Sequence, residues 1–248
     1  MIDVHCHILP ALDDGSIDME DSIAMARQAE EDGIDVVCAT PHIHPDHAVP
    51  IAELAARVGG VNECLEREGV ATRIEGGGEI AEVLLDELPA EHLRATSLGE
   101  NGLWLLVEPK PGPIGSSLLD AVDRLAERGF RAVIAHPERH AGERFRETLE
   151  ALVERGALIQ ATAALVASGP ASPTLLELAG DGLVHLLGSD AHSSHAGRPV
   201  RLSEGLARLR EVELTAPHVE WIAGQGPAAI LRGEDVWPPF LPDRGQPD

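Results

Sequence analysis

The sequence predicts an α/β fold of parallel strands, either a (β/α) barrel or a doubly wound sheet, in a single domain. Short, almost continuously apolar runs alternate with amphipathic helical stretches, the pattern of parallel strands covered on both faces. The 248 residues, 44% of them hydrophobic, suffice for one sizeable core and would be crowded as two domains. Seven strand-then-helix units can be counted with no internal repeat and no interdomain linker between them.

In chain order the strands are expected at 2–5, 34–39, 72–75, 103–107, 131–135, 157–160 and 183–187. Between the first two, Met19, Ile23 and Ala26 share a helical face and Gly33 supplies a stop. A helix over 51–69 is weakened by Gly59-Gly60. The triplet Gly76-Gly77-Gly78 reads as a flexible approach to Glu79. Leu118, Val122 and Leu125 repeat the helical spacing, with Ser116 or Ser117 as a cap and Gly129 as a stop. Trp104 is expected between barrel and helices, and Cys38 as a small core residue. Beyond Gly233 the prolines 238, 239, 242 and 247 mark an extended or disordered tail, which sets a domain at 1–232 and a tail at 233–248.

Charge excludes whole classes of function. Lys and Arg total 19 against 42 Asp and Glu, a formal net charge of −23. Such a chain is repelled by phosphate backbones and anionic lipid, so neither a nucleic-acid partner nor a membrane-surface role is expected. Cys6, Cys38 and Cys64 form no C-x-x-C pair and no disulfide framework. The N-terminus lacks the pattern of a signal peptide, and no apolar run approaches a membrane span. A reduced, cytoplasmic protein is the expectation. Aromatics are 2% with no Tyr, yet there are 12 His, an excess that asks for a chemical reason.

Their phase supplies it. His5 and His7 close the first strand, and His42 closes the second. Glu79 follows the third, Glu108 ends the fourth and His136 the fifth, while Asp190 and His192 follow the last. All stand at strand C-terminal ends, the face where barrel enzymes build active sites, and Pro41, Pro109 and Pro137 stop three of those strands. In an extended segment residues i and i+2 share a face, so His5 and His7 form a chelating pair with Cys6 pointing away. Asp190 and His192 repeat that logic. Alone, an H-x-H is more often a chance surface pair and Asp190 a turn cap. Several such elements in phase favour a metal site. With Asp14 the candidates number nine nitrogen and oxygen donors, more than one ion uses, and they suit Mn, Fe or Zn.

The motifs Met1-Ile2-Asp3-Val4-His5-Cys6-His7-Ile8-Leu9-Pro10, Asp13-Asp14-Gly15, Ala39-Thr40-Pro41-His42, Gly78-Glu79-Ile80, His136-Pro137-Glu138-Arg139 and Ser189-Asp190-Ala191-His192 occur in this order. As a set they resemble the polymerase-and-histidinol-phosphatase (PHP) superfamily. Within it they are most similar to the bacterial CpsB/CapC/YwqE-type metal-dependent protein-tyrosine phosphatases, from Met1 to about Arg198. The resemblance implies a distorted (β/α)7 TIM-like barrel with a trinuclear, usually manganese-activated centre. It also implies hydrolysis of phosphotyrosine on capsule or exopolysaccharide tyrosine kinases. His5, His7, Glu79 and Asp190 would hold one ion; Glu79 would bridge to a second bound by Glu108 and His136; Asp14, His42 and His192 would hold the third. The superfamily often has His where Glu108 and Asp14 stand, and these acids point to the tyrosine-phosphatase branch. The sequence departs from the family after His42, where Ile43-His44-Pro45-Asp46-His47 replaces a His- and Asn-rich stretch.

Arg139 and Arg198 follow His136 and His192 by three and six residues and match the family's substrate arginines, placed to grip phosphate in a bidentate fork. The bland alternative is a surface salt bridge to Glu138 or Glu143. His44, His47, His140 and His195 fall in loops by the same strand ends, where lining the site and standing in solvent weigh equally; His44 is a substrate-binding candidate. His92, His185 and His218 are out of phase and read as structural. No Cys is followed at the sixth position by Arg, and neither G-x-S-x-G nor a P-loop occurs, so no covalent nucleophile is indicated. Hydrolysis by water activated on two or three divalent ions remains, with Arg139 and Arg198 on the developing charge and a metal or His192 assisting the leaving group. Two alternatives stand beside it: a histidinol-phosphatase-like phosphomonoesterase of small molecules, and a non-catalytic kinase-docking module.

Overall fold

The structure, a computed structural model, describes residues 1–242. Its strand segments are β1 (Ile2–Cys6), β2 (Val36–Ala39), β3 (His42–Ile43), β4 (Arg73–Glu75), β5 (Glu79–Ala81), β6 (Trp104–Glu108), β7 (Arg131–Ala135), β8 (Leu158–Thr162) and β9 (Leu186–Gly188). All pairings are parallel, in a sheet of order β1-β2-β4 and another of order β3-β5-β6-β7-β8-β9. Thr40-Pro41 alone separates β2 from β3, and Gly76-Gly77-Gly78 alone separates β4 from β5, so the two sheets are successive levels of the same staves. A bridge from Cys6 to Ala191 joins the end of β1 to the segment after β9 and closes the ring. The seven expected strands are therefore seven staves of a distorted barrel, two of them broken partway.

The break at Gly76–Gly78 differs from the flexible approach expected of it. A Cβ on Gly77 would lie 2.9 Å from the Cys38 sulfur, and one on Gly78 would lie 2.9 Å from Ile43 Cγ1. The glycines are there because neighbouring chain packs against them, which fixes the entry to Glu79.

Helices α1 (Met19–Glu31), α2 (Leu54–Glu68), α3 (Ala90–Ala95), α4 (Ser116–Glu127), α5 (Phe145–Glu154), α6 (Ala163–Ala167), α7 (Ser172–Gly180) and α8 (Ser203–Leu209) flank the staves, and α9 (Gly226–Leu231) packs Ile230 against the barrel interior. Asp18 caps α1 by accepting the Asp21 N–H at 2.9 Å, and Met25, Ala26 and Ala29 bury its inner face. In α2 the Gly59-Gly60 pair survives because both positions face open space and Val58, Val61 and Leu65 carry the packing. Helix α4 starts from Gly115 with no side-chain cap, so neither Ser116 nor Ser117 plays the part expected of it; Leu118, Val122 and Leu125 do bury its face.

Two apolar layers result. The larger lies between staves and helices. The smaller fills the barrel, where Val4, Cys38, Trp104, Leu106, Val133, Leu158 and Leu186 pack with Ile230. Trp104 thus lies inside the barrel, a correction to its expected place outside. Strands buried on both faces give no apolar/polar alternation from which its side could be read. Cys38, fully buried, is the core residue expected, and burial pushes its thiol up to about 12.

The segment after Gly233, expected as an extended or disordered tail, has no regular structure over 234–238 but is docked. Glu234 accepts the Trp104 indole N–H at 2.8 Å, Asp235 pairs with Arg131 at 3.0 Å, and the Phe240 ring lies 5.5–6.0 Å from His218, His185 and Trp221. Its prolines forbid regular structure yet leave these aromatic and polar anchors free to dock. The remainder of the tail, 243–248 with Pro247, lies outside the described residues.

Candidate metal centre

At the opposite end, β1 changes the parity of its inner face. Its register against β2 shifts between Asp3 and Cys6; Val4 joins the barrel interior, whereas Cys6 joins the outer layer. His5 and His7 thereby point together into the mouth, their Nε2 atoms 3.2 Å apart. A bulge next to a site re-aims side chains in this way.

Partners behind the rings set the tautomers. Gln160 gives its amide N–H to the Ala161 carbonyl at 2.8 Å, which leaves its oxygen to accept the His5 Nδ1–H at 2.9 Å. Asp13 accepts the His7 Nδ1–H at 2.9 Å and also the backbone N–H groups of His42 and Gly15 at 2.8 and 2.9 Å. In its neutral form each imidazole therefore presents Nε2 to the mouth, the arrangement by which carboxylates and amides orient metal-binding histidines. The loop closes tightly on them: a Cβ on Gly15 would sit 2.3 Å from the His7 carbonyl oxygen. Asp13 and Gln160 carry weight that the sequence did not reveal. Asp13 is distinguished from Asp14 only by which way the turn points it, and Gln160 sits unmarked in an apolar strand. The adjacency of His7 to an acid six residues on was the one available signal.

Opposite the two rings stand Glu79 and Asp190. Glu79 Oε2 lies 3.3 Å from both Nε2 atoms, and Asp190 Oδ1 lies 3.5 and 3.6 Å from them. Those are the separations of adjacent donors around one ion with bonds of about 2.0–2.2 Å. Glu79 Oε1 accepts from His136 Nε2 at 2.8 Å, and Glu79 Oε2 lies 3.0 Å from His42 Nδ1. His42 faces Glu108 at 3.7 Å on one side and Asp14 at 3.5 Å on the other, and His192 Nε2 lies 3.6 Å from Asp14. His192 donates Nδ1–H to its neighbour's carbonyl, Asp190 O, at 3.1 Å.

Taken as donor groups, four sets lie within 4.8 Å internally: His7 with Asp14, His42 and His192; His5 with His136 and Asp190; His5 with His7 and Glu79; His42 with Glu79 and Glu108. All nine residues expected at the centre are in them. Their distribution differs from the implied one in three places, the first being that His7 also joins Asp14, His42 and His192. His136 groups with His5 and Asp190 rather than with Glu108, and His42 is shared between the Glu108 and Asp14 sides.

Electrostatics show what the mouth needs. Burial alone would neutralise Glu79, yet His5, His136 and His42 around it hold its carboxyl well below the usual range. Burial likewise opposes a charge on His7, but Asp13 and Glu79 raise it to about 9. His192 is driven down to about 3 by burial, with His7 beside it, so its imidazole is neutral near pH 7, the state in which histidine binds metals. Four buried atoms here, His42 Nδ1, Glu79 Oε2, His136 Nδ1 and Asp190 Oδ1, make no hydrogen bond of good geometry among the described residues, the 3.0 Å approach of His42 Nδ1 to Glu79 Oε2 included. Converging lone pairs with buried, unpartnered oxygens fit divalent cations. The backbone is strained at two of these residues, with φ of 28° at His136 and 49° at Asp190.

Both arginines converge on Asp190. Arg198 donates to its carbonyl at 2.7 and 3.0 Å and to Oδ2 at 2.8 Å, and Arg139 also donates to Oδ2. This replaces the salt bridges to Glu138 or Glu143 weighed for Arg139. Each remains about one third exposed, at 34% and 32%, and so faces the mouth. His44 is in no donor group; it lines a slot beside Glu108. His47 stacks 5.3 Å from His42, His140 stacks 6.2 Å from His136, and His195 stands 74% exposed beside Asp21. His185 is buried and accepts the Ile159 N–H at 2.9 Å across two staves.

Comparison with known proteins agrees with this architecture. The family described as capsular polysaccharide synthesis, CpsB/CapC, matches residues 1–232. Tyrosine-protein phosphatase YwqE of Bacillus subtilis (strain 168) is 34% identical over 209 residues, 78% of either chain. A crystal structure from work on YwqE of Bacillus subtilis and CpsB of Streptococcus pneumoniae, described as unique metal-dependent tyrosine phosphatases, superposes with a TM-score of 0.81. It is 30% identical, and the match covers 96% of each chain. A beta-aspartyl dipeptidase from Fervidobacterium islandicum AW-1, 16% identical with a TM-score of 0.55 over 93% of this chain and 72% of that one, shares the fold.

Proposed function

The chain belongs to the CpsB/CapC family of capsular polysaccharide synthesis, and from that premise we propose that it hydrolyses phosphotyrosine in proteins with divalent ions held at the barrel mouth. The reaction takes water and a phosphotyrosine and gives tyrosine and inorganic phosphate. One observation carries the reading: four donor groups share His5, His7, His42 and Glu79, so that a multinuclear centre is written into a single cluster. His5, His7, Asp14, His42, Glu79, Glu108, His136, Asp190 and His192 would hold two or three ions, manganese first, with iron and zinc suited to the same donors. When bound, the ions supply an activated water and positive charge against the developing phosphoryl charge.

The chain's own residues do the rest. Asp13 and Gln160 keep the Nε2 atoms of His7 and His5 turned to the mouth. Arg139 and Arg198, held side by side on Asp190, present two guanidinium forks to phosphate oxygens. His192 is neutral, which favours ligation over donating a proton to the departing tyrosine. His44 borders the substrate's path beside Glu108. The partner that fits is a phosphorylated tyrosine kinase of capsule or exopolysaccharide synthesis, met in the cytoplasm; no helix among the described residues is long and apolar enough to cross a membrane. The domain is residues 1–232, with 233–248 as its C-terminal tail.

The test is phosphate release from a phosphotyrosine peptide, a phosphoserine peptide and histidinol phosphate by manganese-reconstituted protein, with a chelated sample and His136→Ala beside it. Metal-dependent release from the phosphotyrosine peptide, lost in the variant, is expected. Turnover of histidinol phosphate alone would move the assignment to small phosphomonoesters.

A further inference from the structure

A slot of about 200 Å³ opens beside Glu108, lined by His44, Val83, Pro109, Lys110, Pro111 and His140 together with Ala81 and Glu82. It is continuous with the metal centre, because Glu108 belongs to both. Its size suits one side chain rather than a cofactor or a drug-sized ligand.

Two features mark it as a recognition surface. Among the described residues Val83, 50% exposed, is one of two exposed large hydrophobic residues; the other is Ile17, three residues after Asp14, so both flank candidate ligands. Lys110 is the single lysine of a 248-residue chain carrying a formal charge of −23, and it stands exposed in this slot. Its ammonium makes no hydrogen bond or ion pair among the described residues, while Arg124, Arg131, Arg146 and Arg155 all hold carboxylates. Of the two acids on the slot wall, Glu82 accepts the Lys110 backbone N–H at 3.1 Å and Glu108 faces His42 at 3.7 Å. His140 gives its Nδ1–H to the Gly112 carbonyl at 3.0 Å, which keeps the far wall in place.

Apolar walls of valine and proline with one unpaired cation describe a pocket for an acidic side chain with a hydrocarbon stem. We propose that this slot seats a glutamate adjacent to the phosphotyrosine of the substrate. Its methylenes lie on Val83 and Pro109, its carboxylate meets Lys110, and the neighbouring phosphate enters the mouth. The inference rests on the phosphotyrosine reading above and adds sequence preference to it. It also gives an acidic protein a local means of accepting an anionic peptide that the rest of its surface repels.

Kinetics on matched peptides test it. Four phosphotyrosine peptides carry Glu or Gln immediately before or immediately after the phosphotyrosine, and p-nitrophenyl phosphate is the small ester. For the wild-type metalloenzyme, Glu should exceed Gln in kcat/KM by about threefold to fivefold on one side, the scale of a single exposed ion pair, and added salt should erode that ratio. Within Lys110→Gln the ratio should fall to one, and within Lys110→Glu it should invert. Because each ratio is taken within one protein, a general loss of activity does not imitate the effect. A wild-type ratio of one on both sides, or a preference that persists in Lys110→Gln, would overturn the slot assignment and leave the phosphatase reading intact. Turnover of p-nitrophenyl phosphate with none of the four peptides hydrolysed would overturn the protein-tyrosine reading and this inference together.

Discussion

The two ends of one barrel are built on opposite principles. At the bottom, Val4, Trp104, Leu106, Val133, Leu158 and Leu186 fill the interior, and the polar atom of Trp104 is bonded to the Glu234 carbonyl. At the mouth, a few residues further along the same strands, lone pairs converge, four buried polar atoms make no hydrogen bond among the described residues, and His136 and Asp190 take a left-handed backbone. The interior needs only apolar contact; the mouth holds polar atoms that a cation would complete. The difference shows where folding energy is gained and where it is held in reserve for chemistry.

The comparison breaks most sharply at its lower end. Trp104→Ala should cost about 3–5 kcal/mol of stability through lost burial and the cavity left behind, lowering the thermal midpoint by roughly 10 °C for a chain of this size. Calorimetry would show it, while metal content measured well below the new midpoint should be retained. At the upper end, Glu79→Ala removes a carboxylate shared by two donor groups. A loss of about a hundredfold or more in kcat/KM is expected, with fewer ions retained after dialysis. If Trp104→Ala emptied the metal centre as thoroughly as Glu79→Ala, the division between the ends would be wrong.

Finer substitutions sharpen the boundary. Asp13→Asn keeps an acceptor but puts an N–H donor where a carboxylate oxygen now faces His7, so metal affinity should weaken by about tenfold to a hundredfold, read by competition with a chromogenic chelator. Phe240→Ala, which strips one ring from the His185, His218 and Trp221 cluster, should cost about 1–2 kcal/mol in denaturant unfolding and leave kcat/KM unaltered.

The sequence carried much of the upper end and little of the lower. Donors such as His5, His7, His42 and His136 are rare, chemically distinctive and locked to strand ends, so their phase is legible in the chain alone. Trp104 was misplaced because parallel strands buried on both faces lack the alternation that tells inside from outside. Proline content suggested a loose tail, and only tertiary packing shows Glu234 and Phe240 docked beneath the barrel. Gln160 acquires its task when β8 and β1 are placed on either side of β9, a neighbourhood absent from the linear chain. The triple glycine before Glu79 looked flexible because the side chains that need its lack of Cβ, Cys38 and Ile43, come from another stave.

The proposed multinuclear centre draws on nine donors at the mouth. Its most direct measurement is the number of manganese ions bound per chain, by equilibrium dialysis with elemental analysis, for wild type and Glu79→Ala. Two or three ions in the wild type, falling by at least one in the variant, is the predicted result. Fewer than one ion per wild-type chain, or a number unchanged by loss of Glu79, would contradict it.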